Sequence, residues 1–360
     1  MTAPDAFERD DFDLDGFCQA IPKIELHCHL LGTISPETFK ALARAVDAPI
    51  TDDEIDAFYV RRPGHYAGVL KAFRTLEDTV LLTPDSLRRV AYEYLQSAAA
   101  QDVRYAELFW NPTGAVHRSG IPFDVAQDAI IRAIRDAELD QGAVGRLIVS
   151  IDREAPPSDA LEVVDWIRAH RRPEVVGFGI DYSEVDHPPE PFADAYAAAR
   201  NLGLRTTAHA GEFGMPWTNV RTAIEVLHVD RIDHGYTIVD APDYARQLAD
   251  AGVVFTVVPT NSYYLRTLPP DRWALDHPIR RMHELGLRLH PNTDDPSFHL
   301  VTPSEAWRKM AADFGFTFHD LRACMLNGLD AAFIDDSARR AWRAEFEAGF
   351  DRALALCSRP

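Results

Sequence analysis

Cysteine is scarce in this 360-residue chain. Its four copies, Cys18, Cys28, Cys324 and Cys357, show no paired spacing and no C-x-x-C. Neither a disulfide framework nor a zinc knuckle is therefore expected. Long apolar runs are missing too. No stretch of about 18 apolar residues occurs, which excludes an ordinary transmembrane helix. Positive charge is in deficit, with 37 Lys and Arg against 56 Asp and Glu and a net charge of −19. That balance disfavours nucleic-acid backbones and anionic membranes as partners and leaves room for a small neutral or cationic substrate. The stretch from Met1 to Gly16 is acidic and has neither a basic n-region nor an apolar h-region, so it does not read as a signal peptide. A reduced, soluble, cytoplasmic protein is the expectation. Nothing bears on its oligomeric state.

What is present is a large apolar share, 46%, enough for a sizeable core. Eight short apolar runs read as strands: Ile24 to His29, Arg104 to Trp110, Arg146 to Asp152, Val175 to Asp181, Arg205 to Ala210, Arg231 to His234, Val253 to Pro259 and Arg288 to Thr293. Amphipathic stretches lie between them, such as Phe123 to Asp140 and Asp159 to His170. Strand–helix alternation of this count predicts an α/β fold, a closed (β/α)8 TIM barrel in a single domain over 1–360. Two additions are visible. Residues 30–101, between the first two strands, hold several predicted helices (Ser35 to Val46, Asp52 to Tyr59, Tyr66 to Val80, Pro84 to Ala100) and read as a helical insertion placed to cover a site. Beyond Pro303 come further helices, expected on the outside of the barrel.

Four segments put acid or imidazole groups at predicted strand ends: Glu25-Leu26-His27-Cys28-His29, His209-Ala210-Gly211-Glu212, Asp233-His234-Gly235 and Asn292-Thr293-Asp294-Asp295-Pro296. Each has an ordinary explanation alone. His-x-His is common by chance, a strand-end His is often a hydrogen-bonded structural residue, and Asp before Pro often starts a turn. In a barrel, however, the ends of strands one, five, six and eight converge on one face, where active sites lie. His27 and His29 share a side of their strand, while Cys28 points into the helix layer. Gly211 permits a sharp turn that aims His209 and Glu212 into one pocket. The combined inventory, three or four nitrogen ligands, two adjacent carboxylates and a spare Glu, is that of a mononuclear zinc hydrolase. His65, His117, His170, His187, His228, His277, His283 and His319 read as surface residues, and His290 as a buried structural one.

These motifs, with Pro22-Lys23-Ile24-Glu25-Leu26-His27-Cys28-His29-Leu30 and Val103-Arg104-Tyr105-Ala106-Glu107, resemble the adenosine deaminase family of the amidohydrolase superfamily over nearly the whole chain. The resemblance implies one Zn2+ held by His27, His29, His209 and Asp294. It implies that Glu212 gives a proton to purine N1, that His234 takes one from the attacking water, and that Asp295 bonds to that water and to the base. It places substrate contacts at Leu31, Asp181, Tyr182 and Gly211. The expected reaction is hydrolytic removal of the 6-amino group of adenosine or a related adenine-bearing small molecule, releasing ammonia.

Two positions depart from the adenosine-specific pattern. Leu31 stands where such members carry an acid for the ribose hydroxyl, and it cannot accept a hydrogen bond. After strand four the chain reads Asp181-Tyr182-Ser183-Glu184-Val185, similar to adenine and aminodeoxyfutalosine deaminases. Free adenine, an N6-substituted adenine or a modified nucleoside therefore stays open as substrate. Another mononuclear zinc amidohydrolase is the alternative chemistry. The binuclear type is disfavoured because strand four, Val175 to Asp181, contains no lysine. Tyr66, Leu70 and Phe73 fall at helical spacing and suit an apolar lid as well as plain packing.

Overall fold

Every expected apolar run forms a strand: β1 (Lys23–His29), β2 (Val103–Trp110), β3 (Val144–Asp152), β4 (Val175–Asp181), β5 (Arg205–Ala210), β6 (Arg231–His234), β7 (Val254–Val257) and β8 (Arg288–Pro291). This computed structural model describes residues 12–60, 68–260, 268 and 271–358. The strands pair in parallel in sequence order, β1 to β8. They are covered on both faces, as an all-parallel sheet requires, and their residues are almost all buried. Two main-chain hydrogen bonds close the ring. Asp294 N–H donates to His27 O and His29 N–H donates to Asp294 O, both at 2.9 Å. The architecture is a (β/α)8 barrel.

β7 and β8 stop short of the expected Pro259 and Thr293. Beyond β8 the backbone turns early, with Asp294 already at φ +61°. The outer layer includes the helices Phe123–Gln141, Pro157–Ala169, Ala193–Asn201, Thr218–Glu225 and Pro242–Asp250.

The insertion folds as short helices, and its sequence shows where two of them start. Pro36–Ala45 is capped by Ser35, whose side chain accepts from Thr38 N, with Pro36 in the first turn. Asp52–Tyr59 begins with a capping box between Thr51 and Glu54. The helix expected from Tyr66 to Val80 divides. Val69–Thr75 is α-helical and Leu76–Val80 is wound as a π-helix, while Tyr66 lies outside the described residues. A second π turn, Gly114–Arg118, follows β2 and packs beside the first. Such turns are frequent at functional sites.

The C-terminal helices Pro303–Ala312, Phe318–Ala331 and Asp336–Cys357 are present as expected, but the tail does more than pack outside. The turn between the last two enters the barrel's lower end, where Phe333 packs on Phe109 and Ile148. Phe333 N–H donates to Glu107 Oε1 at 2.6 Å, and Arg231 pairs with Glu107 at 2.6 Å while its guanidinium lies 4.2 Å above the Phe333 ring.

One histidine departs from its expected surface place. His277 is buried and caps the helix Pro278–Glu284, its Nδ1 accepting from Ile279 N–H at 3.2 Å. That hydrogen bond needs an unprotonated Nδ1, and burial pushes the imidazole down to about 3. His65 lies outside the described residues. His290 is buried as expected and faces the main-chain oxygens of Cys324 and Ile24 at 3.0 and 3.1 Å. No helix among the described residues is long and apolar enough to cross a membrane.

Candidate active site and metal centre

Strand alternation alone would not bring the four polar segments together. His27 and His29 lie two apart on β1, which carries a β-bulge between Glu25 and Cys28 that re-aims the strand at this point. Thr207 and His209 share a face of β5 in the same way. His234 and Asp294 stand at strand ends with φ of +66° and +61°, a left-handed conformation uncommon for residues with a side chain. Such strain clusters at functional sites. Gly211 has φ +73°, and a Cβ there would sit 2.7 Å from the Thr237 hydroxyl. Gly32 answers a different need, since a Cβ on it would come within 2.1 Å of an Asp295 carboxylate oxygen. Only glycine lets the chain after Leu31 pass so close to the β8 loop.

Side chains then converge. The Nε2 atoms of His27 and His29 each lie 3.0 Å from His209 Nε2. Asp294 Oδ1 lies 3.4 Å from His27 Nε2 and 3.3 Å from His29 Nε2. Four ligands bound at about 2.0–2.1 Å around a tetrahedral ion stand about 3.3 Å apart. These four separations, 3.0 to 3.4 Å, lie near that spacing, so the donor set suits a zinc-sized cation. His234 also reaches this cluster, with a ligand atom within 4.8 Å of those of His27, His209 and Asp294. Its Nε2 faces Glu212 Oε2 at 3.4 Å.

The charges agree with that fit. Burial works to lower the His29 imidazole, yet the Asp294, Asp181 and Asp295 carboxylates override it and raise its pKa to about 10. Positive charge is favoured at this spot. Burial holds His209 and His234 well below the usual imidazole range, so both stand neutral. Glu212 moves the other way. Burial, then the Asp294, Glu184 and Asp295 carboxylates, push its carboxyl well above the usual range and favour its protonated form.

A pocket opens beside these groups. His29, His209, Glu212, Asp294 and Asp295 line its polar side, and Leu31, Val69, Leu70, Phe73, Phe109 and Phe213 its apolar side. Leu31, Asp181 and Tyr182 are in the wall, where the sequence placed substrate contacts. Gly211 is not. Its N–H donates to Glu184 Oε1 at 2.8 Å, so its part is to shape the turn. Glu184 was quoted in the sequence only as part of a loop motif, yet it organises the loop that presents Glu212. It also accepts from Glu212 N–H at 3.0 Å and from Asn219 Nδ2 at 2.8 Å.

Asn111 was missed altogether. It lines the pocket and is buried. Thr113 N–H donates to its Oδ1 at 3.0 Å, which fixes the amide orientation and leaves Nδ2 without an acceptor among the described residues. Asp181 Oδ1 is likewise buried with no donor among the described residues, while Oδ2 accepts from Ser150 Oγ at 2.6 Å. The signal was available, because Asn111 directly follows β2 at the end of the barrel where such residues gather.

Comparison with known proteins gives the same reading. The adenosine deaminase family model matches residues 22–348. An adenine deaminase of Rhodospirillum rubrum is 33% identical over 348 residues, covering 92% of this chain and 98% of that one. A crystal structure of an amidohydrolase from Burkholderia ambifaria with bound zinc superposes with a TM-score of 0.94 at 56% identity, over 98% of each chain. The adenine deaminase of Arthrobacter aurescens superposes with a TM-score of 0.82 at 29% identity, covering 91% of this chain and 99% of that one. The family model spans most of the chain, whose length and fold match those of these relatives, and the chain belongs to the adenosine deaminase family.

Proposed function

We propose that this protein is a zinc-dependent hydrolase that converts a 6-aminopurine, with adenine as the substrate of choice, and water into the 6-oxopurine and ammonia. The observation that carries this reading is the meeting of three imidazole Nε2 atoms and one carboxylate oxygen beside the buried Glu212 carboxyl in one pocket. His27, His29, His209 and Asp294 would hold the metal. When bound, zinc supplies a Lewis acid that makes water a nucleophile near neutral pH.

The chain's own residues supply the proton traffic. Glu212 favours its protonated form and lies in the pocket wall, so it gives its proton to ring N1 as the amino-bearing carbon is attacked. His234 is neutral and buried, so it accepts the proton that the attacking water gives up. Asp295 lines the same wall and orients water and base. The apolar surfaces of Phe73, Leu70 and Val69 exclude bulk water from the reacting ring.

Adenine is favoured over adenosine by two features. Leu31 offers no acceptor to a ribose hydroxyl. Asn111 Nδ2 and Asp181 Oδ1 offer an unpartnered donor and acceptor. A free base has a ring nitrogen and a ring N–H to meet them, whereas N9 substitution removes that N–H. No Lys or Arg lines the pocket among the described residues, so a phosphate would find no counter-charge. The test is ammonia release from adenine, adenosine and AMP by zinc-loaded protein. Adenine should turn over at least tenfold faster by kcat/KM than adenosine, with AMP inert. Absence of turnover with adenine, or adenosine as the better substrate, would sink the proposal.

A further inference from the structure

Behind the metal centre lies a carboxylate that the chemistry above does not use. Asp233 is fully buried on β6, one residue before His234. Both its oxygens accept from hydroxyls on neighbouring strands. Thr207 Oγ1 of β5 donates to Oδ2 at 2.7 Å and Thr256 Oγ1 of β7 donates to Oδ1 at 2.7 Å. The Thr256 proton is thereby committed, so its oxygen is left to accept. That oxygen lies 3.2 Å from His27 Nδ1, with the Thr256 main-chain oxygen at 3.3 Å. Two acceptors at that nitrogen require it to carry the proton, which turns a lone pair on His27 Nε2 toward the centre. His209 Nδ1 lies 3.5 Å from Asp233 Oδ2, close enough for the carboxylate's charge to favour a proton on that nitrogen although the pair lacks hydrogen-bond geometry.

We infer that Asp233 is a positioning residue for the metal centre, one carboxylate that sets the tautomer of two ligands on different strands, His209 through its nearby charge and His27 through the hydrogen bonds relayed by Thr256. Carboxylate partners of metal-ligating imidazoles have this effect generally. The side chain does not line the substrate pocket. Arg231 stands on its far side, with Nε 3.9 Å from Asp233 Oδ1 and Nη1 paired to Glu107. Arg231, shared with Glu107, thus offsets part of the buried negative charge from the side away from the pocket.

The inference rests on the metal reading of the site, and the experiment separates the two. Zinc affinity is measured by competition with a chromophoric chelator on wild type, Asp233→Asn and Thr256→Val, and the thermal midpoint of each is recorded without and with zinc. Wild type should bind one zinc per chain; failure to do so would defeat the metal reading itself. Given a wild type that binds, Asp233→Asn should bind zinc about 10–100-fold more weakly. Thr256→Val, which severs only the His27 branch, should lose less. Metal-free midpoints should change little, while the rise on adding zinc shrinks in step with affinity. Wild-type affinity in Asp233→Asn would overturn the inference, as would a lowered metal-free midpoint with affinity intact, which marks a purely structural role. If Asp233→Asn does not fold, Thr256→Val decides alone, and unchanged zinc affinity in it overturns the inference.

Discussion

The floor and the roof of the pocket are built on different principles. The floor is barrel. Its imidazoles and carboxylates project from strands or from the first residues after them, and hydrogen bonds across the sheet fix their orientation, as with Thr207 and Thr256 on Asp233. The roof is insertion. Val69, Leu70 and Phe73 present apolar surface to the pocket, and the helix that carries them is tied to the barrel at its other end by charge. Arg74 pairs with Asp152 at 2.6 Å and Glu154 at 3.3 Å and lies 3.8 Å over the Tyr182 ring. The Tyr182 hydroxyl donates to Glu77 Oε1 at 2.9 Å, and Arg118 meets Glu77 at 3.2 Å. Tyr182 itself sits at φ +69°, a strained wall residue held from above. The floor is therefore suited to chemistry and the roof to apolar contact with the substrate and exclusion of water.

Breaking the floor should produce the largest effect. Glu212→Gln should lower kcat by about 100- to 10,000-fold while zinc content stays at the wild-type level, because the amide cannot supply the proton. Near-normal kcat with bound zinc would remove Glu212 from its role. Breaking the roof should act on binding. Phe73→Ala should raise KM by about tenfold and change kcat less, from the loss of apolar contact; the reverse pattern would make this residue plain packing. Severing the tie is milder. Arg74→Met should raise KM a few-fold and cost roughly 1–3 kcal/mol of stability, between exposed and buried ion-pair values, since Arg74 is half-buried. Steady-state kinetics with a thermal melt would check both.

The smallest effect is remote from both surfaces. Burial depresses His277 to about 3, below the usual value near 6.5 of the unfolded chain. As pH falls below about 6.5 the unfolded chain binds a proton that the native His277 refuses, so stability declines down to about pH 3. His277→Asn, which keeps a capping side chain, should lose roughly 1–2 kcal/mol less than wild type between pH 7.5 and pH 5 in urea titrations. Equal losses would assign the acid sensitivity elsewhere.

The two regions also differ in how far the sequence revealed them. The barrel strands are short apolar runs between helical patterns, and the ligands cluster at their C-terminal ends, so periodicity and position located both. What escaped depends on contacts between residues far apart in the chain. Nothing near Glu184 shows that its carboxylate gathers the N–H groups of Gly211 and Glu212. The π winding of Leu76–Val80 has no periodic signature of its own, and it carries Glu77 into the Arg118 and Tyr182 network. Phe333 enters the barrel from a tail that reads as a plain helical appendage. Asn111 was legible by the same strand-end rule that found the ligands, but a lone amide before a proline reads first as a turn.

The ring of strands is joined between β1 and the residues after β8 by two hydrogen bonds from main chain to main chain, and both involve Asp294. Opening that seam means parting His27 and His29 from Asp294 in the same motion. The amide protons of His29 and Asp294 should therefore exchange with solvent deuterium only when the site itself comes apart. Slower exchange at these two positions in zinc-loaded protein would make the metal a cross-link between the first and last strands, and would turn two backbone protons into a residue-level gauge of site integrity.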